Sequence, residues 1–148
     1  MVQTESIRSL AKQTTYVVSA YTVLLVFSSY AHEKADLFYA LTAYTPILLL
    51  FCLSPLVAVF FLSTQSARQG AVVLLGIMPA ELIYNLISKF KLSPPSIMQA
   101  SASLIWKILY QGSFGLALVL DVIGCWLTIK LLREIHRQIS INNPTSNL

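Results

Sequence analysis

The sequence predicts an all-α integral membrane protein, built as a compact bundle of four transmembrane helices with short loops. Composition is the first reason, because the 148 residues are 56% hydrophobic and only 11% charged, whereas soluble domains carry about 25% charged residues. The second is that four long stretches contain almost no charge. The third is length, since four spans of about 20 residues leave no room for a soluble catalytic domain.

The first two spans are predicted at about residues 13–31 and 38–62. No Asp, Glu, Lys or Arg occurs from Gln13 to Ala31 or from Leu37 to Ala67. The second stretch contains Pro46 and Pro55, and each proline predicts a kink because it removes a backbone donor.

The other two spans are predicted at about residues 71–88 and 106–131. Pro79, Glu81 and Asn85 interrupt the third span, and Asp121 is the internal charge of the fourth. We therefore expect one four-helix transmembrane domain over residues 1–139. The polar, proline-bearing tail 140–148 is predicted to be disordered.

The distribution of basic residues predicts the orientation. With four spans, the N-terminal tail, the second loop and the C-terminal tail share one side of the membrane. That side carries six Lys and Arg residues, namely Arg8, Lys12, Arg68, Lys130, Arg133 and Arg137. The other side carries Lys34, Lys89 and Lys91, with Lys107 near its edge. The positive-inside rule then predicts that both termini face the cytoplasm.

The formal net charge is +4. We interpret it as basic helix ends that lie at the lipid headgroups, and not as a surface that binds nucleic acid. We expect anionic headgroups near the terminal cations Arg8, Lys12, Lys130, Arg133 and Arg137. The sequence does not indicate which membrane contains the protein.

Glu81 and Asp121 are the principal candidate site residues, because an ionisable side chain in the hydrocarbon region is costly and needs an explanation. Their depths along the two spans differ by about one helical turn, so the two carboxyls could share a layer of the bundle. If they meet, one should keep a proton, and the pair could bind a cation or relay protons. Alternatively, each lies apart and only helps packing, or one engages a polar residue of a partner.

Two further polar residues complete the candidate site. Asn85 follows Glu81 by four residues, which places both on one helix face. Gln111 belongs to a similar polar stripe that leads towards Asp121. A bundle interior, a water-filled cleft and a partner interface all fit these stripes.

We predict no cofactor and no metal site. His32 and His136 are the only histidines and fall outside the spans, on opposite sides of the membrane. Cys52 and Cys125 lie within apolar stretches without a CxxC motif.

The leading functional expectation is a non-catalytic accessory or scaffolding subunit that contacts other integral membrane proteins through its helices. The alternative is a small oligomeric transporter, or a proton- or ion-conducting protein, that uses Glu81 and Asp121. An enzyme acting on lipid or quinone is disfavoured, because no paired His or Asp cluster lies at one interface.

Overall fold

The computed structural model describes the backbone of residues 5–34, 41–64, 66–91 and 103–142. Side chains are described for the same residues except 33, 41–50, 88–91 and 142. The described chain forms four helices: α1 (Glu5–Lys34), α2 (Leu41–Ser63), α3 (Ala67–Lys91) and α4 (Leu104–Asn142). The predicted all-α class is therefore confirmed.

Local chemistry accounts for several helix ends. Glu5 lies in the first turn of α1 and Lys34 in its last turn. Each charge is opposite in sign to the partial charge of the helix dipole at its end, and both therefore stabilise α1. The Ser66 carbonyl accepts the first helical hydrogen bond of α3 from the Gly70 amide at 3.2 Å, so Ser66 occupies the N-cap position. Ser103 similarly accepts from the Trp106 amide at 3.1 Å at the start of α4.

The prolines predicted to kink the helices do not interrupt them. Pro46 and Pro55 lie within α2, and Pro79 lies within α3.

The four helices form a bundle in which each packs against two neighbours. The contacting pairs are α1 with α2, α2 with α3, α3 with α4, and α4 with α1. The α1–α4 pair is antiparallel, because the Tyr30 and Trp106 rings meet edge-on at 5.9 Å while Ser6 lies against Glu134 at the other end. Both described chain ends, Glu5 and Asn142, consequently lie at the same end of the bundle, which we call the terminal end.

Three helices are long and apolar enough to cross a membrane, and they contain the stretches Glu5–His32, Ala67–Ile87 and Leu104–Ile141. In α2 the described apolar stretch is shorter, Phe51–Ser63. The spans predicted at 13–31, 71–88 and 106–131 lie inside α1, α3 and α4, and the span 38–62 overlaps α2 from Leu41 onwards.

The chain beyond the fourth predicted span continues as helix. At about 1.5 Å per residue, the 39 residues of α4 extend about 58 Å, well beyond a hydrocarbon core of about 30 Å. Helix α4 includes Ser140 and Ile141, which we predicted to be disordered, and residues 143–148 lie outside the described chain.

The best-packed part of the core lies in the terminal half of the bundle. Leu74, Met78 and Leu131 are fully buried there. Helices α2 and α3 approach closely at Gly70, where an added Cβ would lie 2.8 Å from the Ala58 carbonyl oxygen. This tight packing fixes the position of α3 and therefore of Glu81.

Candidate functional site: a buried acid cluster

Glu81 and Asp121 both point into the interior of the bundle, and neither side chain has exposed surface. Glu81 lies near the middle of α3, and Asp121 lies near the middle of α4. The two helices are neighbours, and the two carboxyl groups are close enough to interact electrostatically. The bundle thus brings the two acids together.

Tyr21 and Asn85 complete this arrangement, and we call the four residues Glu81, Asp121, Tyr21 and Asn85 the buried acid cluster. The Asn85 Nδ2 group donates a hydrogen bond of 3.3 Å to the Tyr21 hydroxyl oxygen. This contact joins α3 to α1 across the centre of the bundle. Because the hydroxyl oxygen accepts from Asn85, its own proton remains available for a carboxylate.

Most carboxylate oxygens in the cluster lack a hydrogen-bond donor. The Tyr21 hydroxyl lies beside Glu81, but neither Glu81 oxygen accepts a hydrogen bond of ordinary geometry from a described group. Asp121 Oδ2 also has no partner among the described groups. Asp121 Oδ1 accepts from the thiol of Cys125, a weak donor whose Sγ lies 3.9 Å away.

Three acceptor oxygens without donors are energetically unusual in a bundle interior. An unsatisfied buried polar group costs about 1–3 kcal/mol, and more when it is charged. A proton on a carboxyl oxygen lowers this cost in two ways, because it removes the charge and supplies an O–H donor to a neighbouring oxygen. The geometry therefore suits carboxyl groups that carry a proton.

Gln111 does not join the other predicted site residues. Its side chain is exposed on α4, ten residues before Asp121 in the chain, and an added Cβ at nearby Gly112 or Gly115 would meet no atom within 4 Å. Gln111 and Asp121 point in directions about 80° apart around α4, because ten residues at 100° per residue fall about 80° short of three full turns.

The described side chains do not bring together a metal site. No three His, Cys, Asp or Glu side chains within the described ranges lie close enough to hold a metal ion. Cys52 and Cys125 form no disulfide, and both are partly buried. Each thiol lies close enough to Glu81 to interact with it electrostatically.

Sequence reasoning missed Tyr21. Tyr16 and Tyr30, which lie near the ends of the predicted first span, are both exposed on the outer surface. Tyr21 is fully buried. Its position in the middle of the span could have identified it from the sequence. A tyrosine there cannot reach the headgroups and needs a polar partner inside the bundle.

Searches with this chain find no matching protein-family model, no similar curated protein and no similar solved structure.

Proposed function

We propose that this chain is a multi-pass integral membrane protein with four spans. The support is the length and apolar composition of α1, α3 and α4, together with the charge-free sequence of α2. The outer surface of the bundle carries many large apolar side chains, among them Val23, Phe60, Ile83 and Leu116. Such a surface suits lipid tails, which are the natural solvent for an apolar exterior.

Both termini face the cytoplasm in this proposal. The basic residues Arg8, Lys12, Arg68, Lys130, Arg133 and Arg137 belong to the helix segments at the terminal end. Two of them lie over aromatic rings, with Lys12 Nζ 5.8 Å from the Tyr16 ring and Lys130 Nζ 5.1 Å from the Trp126 ring. Cations and aromatic rings paired in this way favour the headgroup region, where anionic lipids would bind them.

We further propose that the protein binds and exchanges protons at the buried acid cluster, as part of a small transporter or proton-conducting protein. One observation carries this proposal: Glu81 and Asp121 lie together, fully buried, with three carboxylate oxygens that have no donor among the described groups. An acid that is removed from water and lies near a second acid binds a proton more readily than the same acid in water. Intramembrane carboxyl groups of this kind typically mark proton or ion pathways.

The same observation argues against a role of these two acids as a lock between subunits. A carboxylate that engages a partner helix must reach the outer surface of the bundle, but neither Glu81 nor Asp121 has exposed surface. A partner would reach them only if the four helices separated. The acids are therefore better suited to a ligand as small as a proton or a monovalent cation.

The test is proton flux into liposomes that contain the purified protein and a trapped pH-sensitive dye. The variants Glu81→Gln and Asp121→Asn remove the titratable group and keep the side-chain shape. Glu134→Gln is the matched control, since Glu134 pairs with Arg137 at 2.8 Å at the terminal end and lies outside the cluster. We expect flux to be lost in both cluster variants and retained in the control.

Flux that is absent in the wild-type protein, or equal in wild-type and cluster variants, would refute the proton proposal. Each variant must elute as the wild-type protein does in size-exclusion chromatography. A loss of flux together with a changed elution profile would instead indicate a structural role for the substituted acid.

An accessory subunit of a larger membrane complex is the second candidate. The exposed Gln111, next to open space at Gly112 and Gly115, favours it, since a polar side chain beside glycines on a span suits contact with another membrane helix. Extraction of the C-terminally tagged chain in mild detergent tests this candidate. Partners in fixed stoichiometry that are lost in Gln111→Leu would support it, and particles of this chain alone would refute it.

A further inference from the structure

The buried hydroxyl groups of the bundle differ in where their protons point. Four of them donate to carbonyl oxygens of their own helix, at 2.8–3.1 Å; they belong to Thr14, Thr22, Ser113 and Thr128. The Tyr21 hydroxyl stands at the end of a rigid ring, away from its own helix backbone, and cannot donate in this way. Its proton is therefore directed towards a neighbouring helix.

Helix α3 places two polar side chains next to the Tyr21 hydroxyl. Asn85 donates to the hydroxyl oxygen at 3.3 Å, and Glu81 lies beside the hydroxyl, one turn earlier on the same face of α3. The amide uses a lone pair of the oxygen and leaves the single O–H free to donate. This O–H is therefore a donor available to Glu81, whose two oxygens accept no ordinary hydrogen bond from the described groups.

The second acid of the cluster has a separate and weaker donor. Cys125 Sγ lies 3.9 Å from Asp121 Oδ1 and belongs to the same helix, four residues further along. A thiol is a weak donor, whereas a phenolic hydroxyl is an ordinary one. Of these two donors, the stronger one faces Glu81.

We propose that Tyr21 positions a donor for the ionised form of Glu81 and thereby promotes proton release, and that Asn85 orients the Tyr21 hydroxyl for this purpose. This inference rests on the proposed proton-binding function. When the Glu81 carboxyl group loses its proton, the phenolic O–H donates to the carboxylate, because hydrogen bonds to an ionised group are stronger than those to a neutral one. The phenolic proton stays on Tyr21 throughout, and the proton that leaves is that of the carboxyl group.

The experiment follows the protonated carboxyl group of Glu81 by infrared spectroscopy as the pH is raised, with the full-length protein in liposomes. All variants carry Asp121→Leu, which keeps the branching of the side chain, supplies no donor and leaves Glu81 as the titratable acid of the pair. Adding Glu81→Gln identifies the absorption band of Glu81. Proton release is then compared with and without Tyr21→Phe, which removes the hydroxyl and retains the ring.

We expect Tyr21→Phe to raise the pH of half-release by about one to two units, a tenfold to hundredfold change in proton affinity, which is the usual contribution of a hydrogen bond to a charged group. Tyr16→Phe is the matched control, since Tyr16 lies on the same helix and is 63% exposed; it should leave the pH of half-release unchanged. An unchanged value in Tyr21→Phe, a shift to lower pH, or an equal shift in Tyr16→Phe would overturn the proposal.

A second pair of variants guards against a protein that fails to fold. Tyr21→Phe leaves the buried Asn85 amide without its acceptor, so it is also combined with Asn85→Leu, and the same upward shift is expected. Asn85→Leu alone keeps the hydroxyl without its orienting donor and should give a smaller shift in the same direction. A larger shift in Asn85→Leu than in Tyr21→Phe would contradict the assignment of the donor to Tyr21.

The infrared result and the flux result separate this inference from the proposed function. Flux that requires Glu81, combined with proton release that does not depend on Tyr21, would retain the proton function and overturn the role of Tyr21. Absent flux, combined with proton release that depends on Tyr21, would refute proton transport and retain Tyr21 as the donor at a proton site that serves another purpose.

Discussion

Replacing Glu81 by methionine should stabilise the bundle although it removes the central residue of the candidate site. Methionine is unbranched and similar in length to glutamate, so it fills the same space without a polar atom that needs a donor. The two Glu81 oxygens have no ordinary hydrogen bond to a described group. An unsatisfied buried polar group costs about 1–3 kcal/mol. Removing even one such oxygen should therefore raise the free energy of unfolding by a measurable amount.

We therefore expect Glu81→Met to raise the free energy of unfolding by about 1–3 kcal/mol, the cost of an unsatisfied buried polar group. Reversible unfolding of the purified protein in mixed micelles, followed by tryptophan fluorescence, measures this quantity. Trp106 and Trp126 lie on α4 and report on its packing. Glu5→Met is the control, since the Glu5 side chain is exposed at the start of α1 and its replacement should affect stability little.

A decrease of about 1 kcal/mol or more in Glu81→Met would contradict the reasoning, because this is the magnitude of one lost hydrogen bond. It would mean that the Glu81 carboxyl stabilises the bundle through a partner. Tyr21, whose hydroxyl lies beside Glu81, is the candidate for that partner, and a Tyr21→Phe and Glu81→Met double-mutant cycle would identify it.

Three other predictions follow from the packing. Gly70→Ala should lower the free energy of unfolding by about 1–3 kcal/mol, because the added methyl group would overpack against backbone atoms of α2. Gly115→Ala has open space around it and should raise the free energy of unfolding by up to about 1 kcal/mol, because alanine has the higher helix propensity. Unfolding in mixed micelles measures both variants. Tyr21→Phe should cost about 1–3 kcal/mol because Asn85 loses its acceptor, and the cost should largely disappear in an Asn85→Leu background. Tags at the two termini should both be digested by protease from the cytoplasmic side of sealed vesicles, and digestion of only one tag would contradict the bundle topology.

The helical class was predictable from composition because apolar stretches of this length leave few alternatives. A chain with no charge over most of α2 must satisfy its backbone hydrogen bonds internally if it lies in lipid, and a helix does so within one segment. The pairing of α1 with α4 was not predictable in the same way. It depends on side chains such as Tyr30 and Trp106, which meet only after three connections have been made.

The candidate site was predictable where it follows helical spacing and unpredictable where it crosses between helices. Glu81 and Asn85 share a face because four residues make about one turn. Asp121 reaches the same layer because α3 and α4 are neighbours, and depth counting along the predicted spans indicated this layer. Gln111 lies on a different face of α4 from Asp121, because ten residues along a helix end about 80° from the starting direction.

Tyr21 shows why the remaining part of the site could not be found from the sequence. Its partner Asn85 lies 64 residues away in the chain, on the helix diagonally across the bundle. Periodicity describes the faces of a single helix and says nothing about which faces meet. Only the packing of α1 against its neighbours brings the hydroxyl beside the Glu81 carboxyl.

The inner face of α3 indicates that Glu81 has a chemical role and not a structural one. Ala71, Leu74, Met78, Glu81 and Asn85 follow one another at intervals of three or four residues, and all are buried. The first three pack without polar atoms, so an apolar side chain at position 81 would continue the same stripe. A carboxyl there adds a desolvation cost and gains no ordinary hydrogen bond from the described groups. Helix packing does not require this acid. What distinguishes Glu81 from leucine or methionine is its ability to bind and release a proton, and we infer that the function uses this ability.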